Sequence, residues 1–340
     1  MSKYITSIAQ KIFNTHSPTG YSNEINKVIT DELVNLGYNP TISNKGNVII
    51  KLEGKSKDIT RATSAHLDTL GLMVRSINSN GTLKVTNIGG PIIPTLDGEY
   101  CTIKTRDNKE YTGTILSTSP STHVYSDANS KARNIDNMIV RLDVEVNSKK
   151  DVINLGIDNG DFVCIDPKFS IVNDFIKSRF IDDKAGVLAL LDVLNTIKKD
   201  KITLEYDTYF YFVNHEEVGH GATTISDEID EFVTIDMGCI GLDLSGNEYS
   251  VSICAKDSSG PYDYNLTTKL INLAKSNKID YVVDIFPYYG SDVSAALRSG
   301  KDIKGALIGP GVDASHGMER THIKAVNHTI NLLLKYLTTK

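Results

Sequence analysis

Five short segments carry acids and histidines in patterns able to hold cations or move protons. Ser64-Ala65-His66-Leu67-Asp68 closes a predicted strand. Side chains two apart on a strand share a face. His66 can therefore bind a metal through one ring nitrogen while Asp68 holds the other, the support that metal-bound imidazoles usually have. Phe180-Ile181-Asp182-Asp183-Lys184-Ala185-Gly186 opens a predicted helix. Acids at a helix start can be mere capping groups favoured by the dipole; alternatively, Asp182 can give one oxygen to each of two cations. Asn214-His215-Glu216-Glu217-Val218-Gly219-His220-Gly221-Ala222 follows the most hydrophobic strand. A solvated strand-to-loop turn would accommodate its two acids, but buried at a strand end they are costly unless positive charge awaits them. In that setting Glu217 can ligate a metal while Glu216 takes a proton from an attacking water. Thr234-Ile235-Asp236-Met237-Gly238 is another acid ending a β-branched run. Late in the chain, Gly311-Val312-Asp313-Ala314-Ser315-His316-Gly317-Met318-Glu319-Arg320-Thr321-His322 offers His316 or His322 to complete a site, although a single histidine there is more often a surface residue.

Each signal is modest, but together they repeat one arrangement. Carboxylate and imidazole ligands suit zinc first, with cobalt or manganese as alternatives. Two such ions roughly 3.5–4 Å apart polarise a carbonyl and generate hydroxide. A glycosidase using Glu216 and Glu217 is disfavoured, because adjacent carboxylates do not readily stand about 5–10 Å apart on opposite sides of a sugar bond. The residues alone therefore point to a two-metal hydrolase.

The elements that must position these groups alternate. In SNEINKVITDELVNLGY, Ser22 is a plausible N-cap, and Ile25, Val28, Ile29, Leu33 and Leu36 recur at helical spacing. NVIIKLEG and ITRATSAHLDTLG read as strands. From about Val74 to Lys168, short strand-like runs (TLKVTNI, YCTIKTR, EYTGTILS, NMIVRLDVEV, DFVCIDP) are separated by Asn-Gly, Asp-Gly and Asp-Asn turn signals. No clear helical period appears there, and the polar stretch SDANSKARN is ambiguous. Beyond it, AGVLALLDVLNTI puts Val187, Leu190, Leu191 and Leu194 on one helical face. TLEYDTYFYFV suits a buried strand, EFVTIDMG and DYVVDIF are further strands, and LTTKLINLAK, SDVSAALRSG and VNHTINLLLKYL are helices. The expected architecture is an α/β domain, residues 1–74 plus 166–340, with a mixed, mostly parallel sheet flanked by helices. A small all-β, barrel-like domain, residues 75–165, is inserted into it.

Composition is consistent with this reading. The chain has 340 residues, 40% hydrophobic and 23% charged, which is globular composition long enough for two domains. A net charge of −6 argues against nucleic-acid binding, which needs a basic face. No apolar stretch is long enough to span a bilayer. The start, MSKYITSIAQKIF, lacks the apolar core and cleavage site of a signal peptide. Cys101, Cys164, Cys239 and Cys254 are scattered without CxxC spacing and read as reduced thiols. A cytoplasmic location is expected.

The ordered set HLD, DDKAG, HEEVGHGA, IDMG and a late SH resembles the M42 metallo-aminopeptidases, within the larger clan of co-catalytic zinc exopeptidases. The resemblance covers nearly the whole chain, including the β insert, and YYGSDVSAALRSGKDIKGALIGPG resembles the family segment before the last ligand. It implies that His66 and Asp236 bind one metal, with Asp68 orienting His66; that Asp182 bridges; that Glu217 and a late histidine bind the second metal; and that Glu216 is the general base. Counting from Asp292 and back from the last helix favours His316 over His322. Here the chain departs from the family pattern, reading GVDASHGMERTH in place of a PTRYxHS-like segment. HEEVGHGA is also more compact than the usual EEVGLRGA form, so the resemblance is to a divergent branch of the family. The resemblance further implies peptide substrates, two divalent ions per subunit, and a homo-oligomer, up to a dodecamer, with the insert serving assembly and gating. His123, in the insert, is either a turn residue or one that approaches the site in the oligomer. The alternatives are an N-acyl amino acid deacylase or carboxypeptidase of the same clan, or a non-catalytic scaffold.

Overall fold

A computed structural model describes residues 3–340; the first two residues of the expected α/β domain lie outside it. The chain divides into two compact units. One contains residues up to Asp68 together with Lys168–Lys340, and the other is Thr69–Pro167. The expected insert, 75–165, falls within the second.

The first unit is built on a ten-stranded mixed sheet. Its centre is parallel: Gly54–His66 lies between Leu204–Val213 and Glu231–Ile235, and the latter pairs with Lys304–Val312. Antiparallel partners extend it, Val48–Leu52 on one side and Val251–Asp257 on the other. The period of two in LEYDTYFYFV decides which side chains go where. Phe210 and Phe212 enter the core on one face of the sheet, while Tyr211 and Val213 enter that on the other. Helix Ile181–Lys199 covers the first face with Val187, Leu190, Leu191 and Leu194, all fully buried. Burial of each such side chain stabilises by roughly 1.5–3 kcal/mol. The last helix, Ile323–Thr338, packs Val326, Ile330, Leu333 and Leu337 into the same core.

Register brings the functional segments to one level. Val213 is paired with His66, and Thr234 with Ser64. The residues just past these strand ends therefore converge on the carboxyl edge of the parallel block, where open α/β sheets place their ligands.

The second unit is a closed barrel of Gly71–Ile77, Leu83–Ile88, Tyr100–Lys104, Glu110–Ser117, Met138–Leu142 and Phe162–Ile165. Its edges are paired, which removes open strand edges. One element had no sequence signal: a short helix, Lys149–Leu155, capped by the Ser148 hydroxyl accepting the Asp151 N–H and closed by Gly156 at φ 92°. It buries only Val152, too little for a helical period to register. Asn23–Asn35 is helical, but the Ser22 side chain makes no cap hydrogen bond; its backbone is already in the helical region (φ −106°, ψ −6°) and not in the extended geometry typical of an N-cap. Among the described residues, no helix is long and apolar enough to cross a membrane.

Candidate metal centre

His66 ends its strand with the ring buried. Its Nδ1 lies 2.9 Å from the main-chain oxygen of Asp68. A carbonyl can only accept, so the proton sits on Nδ1 and Nε2 points inward. Nε2 is 3.0 Å from Asp182 Oδ1 and 3.9 Å from Glu216 Oε2. Strand spacing suggests the Asp68 carboxylate as the holder of this ring; it stands farther off, at 3.7 Å, and carries a different load. It accepts the Thr19 hydroxyl at 2.6 Å and the N–H groups of Glu216 and Glu217 at 3.1 and 3.3 Å. These two acids lie in a 3-10 turn, Glu216–Val218, between left-handed residues His215 (φ 72°) and Gly219 (φ 79°). Asp68 thus anchors the turn from below.

Asp182 lies at the start of helix Ile181–Lys199, but its own backbone is not helical (φ −73°, ψ 105°), and its peptide bond to Asp183 is cis. The carboxylate is not a cap; it faces two imidazoles, with Oδ2 3.5 Å from His316 Nε2. The same His316 nitrogen is 3.7 Å from Glu217 Oε2. Two groups of donor atoms result, His66–Asp182–Asp236 and Asp182–Glu217–His316, each with its atoms within 4.8 Å of one another. Asp182 belongs to both. His322 lies elsewhere: it caps the last helix by accepting the Lys324 N–H and packs on Phe175 and Tyr249. His123 is exposed in a turn of the second unit.

The electrostatics show what these residues lack. Burial pushes the Glu217 carboxyl up to about 8, helped by the Asp182 charge. Burial likewise drives Glu216 and Asp236 well above the carboxylate range, with neighbouring acids adding to the effect. Asp182 goes the other way: despite burial, hydrogen bonds from His316 and His66 hold it below that range. Burial opposes charge on His66 too, but Asp182 and Glu216 outweigh it and raise its pKa well above normal. Glu217 Oε1 is buried without a hydrogen-bond partner. A cluster of buried acids with an orphaned oxygen and two inward imidazoles fits divalent cations, which would supply the missing positive charge.

Supporting residues complete the picture. Asp183, fully buried, accepts the N–H groups of His66 and Gly186, both at 3.2 Å. A Cβ on Gly186 would lie 2.2 Å from its Oδ1, which explains the glycine in DDKAG. Asp292 accepts the Ala222 N–H at 3.0 Å, tethering the loop after the two glutamates, and burial pushes its carboxyl up to about 7. Glu319 accepts the N–H groups of Asp182 and His316. None of these accepting roles has a sequence signal beyond an acid in an otherwise apolar or motif-bearing segment. Next to the donor groups a cleft of about 230 Å³ opens, bordered by Tyr288, Gly290 and Arg298. Glu216 and Glu217 also line it.

The chain belongs to the M42 glutamyl aminopeptidase family, whose model matches residues 46–332. It is therefore a hydrolase of peptide bonds. The chain is 46% identical over 332 residues to a Bacillus subtilis (strain 168) protein named "Putative aminopeptidase YhfE", covering 97% of this chain and 96% of that one. The crystal structure of the TET aminopeptidase from the marine sediment archaeon Thaumarchaeota archaeon SCGC AB-539-E09 superposes with a TM-score of 0.89 at 18% identity, over 99% and 97% of the two chains. The Pyrococcus horikoshii TET1 peptidase, which can assemble into a tetrahedron or a large octahedral shell, gives 0.87 at 22% identity, over 99% and 100%. At these identities the structural likeness is one of fold.

Proposed function

We propose that this chain is an aminopeptidase that removes the N-terminal residue of peptides with two divalent cations and Glu216 as general base. The observation that carries the reading is the shared carboxylate: Asp182 turns one oxygen toward His66 at 3.0 Å and the other toward His316 at 3.5 Å. His66, Asp182 and Asp236 would hold one cation, and Asp182, Glu217 and His316 the other. Zinc suits this donor set best, and cobalt or manganese also fit it. When bound, such ions polarise the scissile carbonyl and acidify the attacking water.

The chain's own groups do the rest. Glu216, next to His66 and open to the cleft, takes the proton of the attacking water and returns it to the leaving amine. Burial and the neighbouring acids push its carboxyl above the usual carboxylate range, the direction that helps it hold the proton between the two transfers. Asp68 fixes the Glu216 backbone, so that the carboxylate meets the water in one orientation.

The test is Glu216→Gln. Metal content should stay at the wild-type level while kcat falls about 10²–10⁴-fold; near-normal turnover would sink the base assignment. A panel of aminoacyl-nitroanilides, N-acyl amino acids and C-terminal dipeptides separates aminopeptidase from deacylase and carboxypeptidase.

The barrel unit, residues 75–165 in the sequence reading, would serve assembly of a homo-oligomer, up to a dodecamer, and gating. Support comes from the fold shared with the TET1 peptidase. Light scattering of the purified chain decides between monomer, dimer and larger particle. None of the four cysteines forms a disulfide, which suits a reducing cytoplasm.

A further inference from the structure

Glu319 presents no atom to either group of donors, yet both its oxygens are committed to residues that do. Oε2 accepts the Asp182 N–H at 3.0 Å, and Oε1 accepts the His316 N–H at 2.9 Å. The side chain is 1% exposed, on strand Glu319–His322. Both N–H groups come from irregular backbone. Asp182 departs from helical geometry (φ −73°, ψ 105°), and His316 is left-handed at φ 63°. A regular element satisfies its own backbone groups; an irregular one must find partners elsewhere or leave buried donors stranded. One carboxylate answers for both places, one 137 residues and the other three residues earlier in the chain.

The two residues so joined are the shared acid and the histidine of the second donor group, whose side chains face each other at 3.5 Å. A buried carboxyl cannot drift from its donors without stranding two buried N–H groups and its own oxygens. The gap between the backbones of Asp182 and His316 is therefore set by one rigid span. We propose that Glu319 is a positioning residue that fixes Asp182 against His316 and so sets the affinity for a divalent cation held by Asp182, Glu217 and His316. This rests on the two-cation reading above. It also makes the two cation positions unequal, because the His66–Asp182–Asp236 group touches the span only through Asp182.

The test uses the full chain, stripped of metal and titrated with zinc and with cobalt. Glu319→Gln keeps the shape of the side chain and one accepting oxygen, but turns an NH2 toward an N–H donor. One of the two ions should bind about 10–100-fold more weakly, and the visible absorption of the cobalt form should lose the contribution of one ion. The other ion should stay near wild-type affinity. The melting temperature of the metal-free variant should move by no more than a few degrees, and excess metal should restore kcat. In a His316→Ala background the same change should cost no further affinity, since the position it supports is already lost. If Glu319→Gln does not fold, Glu319→Asp is read in the same way, since it keeps the charge but is too short to reach both N–H groups.

A wild-type chain with two ions, and a variant binding both as tightly, overturns the Glu319 assignment alone. Equal loss of both ions with a matching fall in metal-free stability overturns it as well, because Glu319 would then serve the fold and not the position. A wild-type chain that takes up no divalent ion overturns the two-cation reading and this one together.

Discussion

Asp68 holds Glu216 by its backbone: the Asp68 carboxylate accepts the Glu216 N–H at 3.1 Å, while the Asp68 main-chain oxygen, not the carboxylate, takes the His66 ring at 2.9 Å. One residue thus orients a candidate ligand and the candidate base through two different groups. Asp68→Asn separates them. The main-chain oxygen survives, but one side-chain acceptor becomes a donor facing N–H groups and the Thr19 hydroxyl. We expect kcat to fall about 10–100-fold, the range for lost outer support, with metal content close to wild type. Steady-state kinetics with metal analysis on the same sample checks this; loss of metal with kcat per bound ion unchanged would place Asp68 on the ligand side instead.

The two late histidines are predicted to behave oppositely. His316→Ala removes the nitrogen facing Asp182 and Glu217 and leaves the orphaned Glu217 with still less compensation. Bound metal should drop by about one ion of the pair expected from the shared-carboxylate arrangement, and activity should collapse. His322→Ala removes a helix cap and a ring packed on Phe175 and Tyr249. It should cost about 0.5–2 kcal/mol of stability while leaving metal content intact. Metal analysis and thermal melting of both variants decide. Chelation of the wild-type chain should abolish turnover and lower its melting temperature, since an ion bound only by the folded state stabilises it.

Much of the architecture is legible in the sequence because apolar runs end abruptly in acids or histidine. VTID and YFYFVNHEE each show where a buried strand stops, and the parallel register then brings those stops to one level. The strands of the insert and their barrel-like arrangement are legible from its turn signals, but the register that closes the barrel is not, because it is set between distant strands. The supporting acids are invisible for a related reason. Glu319 matters because the backbones at residues 182 and 316 are irregular, and no side-chain pattern reports that. Strand periodicity hands the Asp68 carboxylate to the ring two residues away. A turn 148 residues later in the chain, which periodicity cannot anticipate, claims it instead.

Gly309 ties strand Lys304–Val312 to Asp236 of the candidate metal centre. A Cβ there would lie 1.7 Å from the Asp236 carbonyl oxygen, which is backbone and cannot swing aside. The Asp236 N–H is bonded to the Ile308 main-chain oxygen at 3.1 Å, so the two segments cannot part without breaking the pairing that aims Asp236. Gly309→Ala should therefore either reduce soluble yield sharply or, where protein is recovered, weaken metal binding at the His66–Asp182–Asp236 group. Wild-type yield with undiminished metal affinity would show that the strands can separate freely here.

Arg61 offers a stability test away from the chemistry. Its guanidinium is fully buried, 3.0 Å from Glu231, and donates to the main-chain oxygens of Tyr336 and Thr339 at 2.7 and 2.8 Å. The rings of Tyr206 and Tyr336 lie against it at 4.5 and 4.3 Å. It thereby fastens the end of the last helix to a central strand. Arg61→Ala would leave Glu231 without its principal cation and take one donor from each of two main-chain carbonyls. The expected loss is about 3–5 kcal/mol, the range for breaking a buried pair from one side. Arg61→Lys should recover only part of this, because an ammonium cannot reproduce the planar fork or its stacking. Denaturant midpoints of the three proteins measure the effect. Turnover per folded molecule should stay at the wild-type level, since Arg61 is bonded to the far ends of these elements and not to any donor of the metal centre.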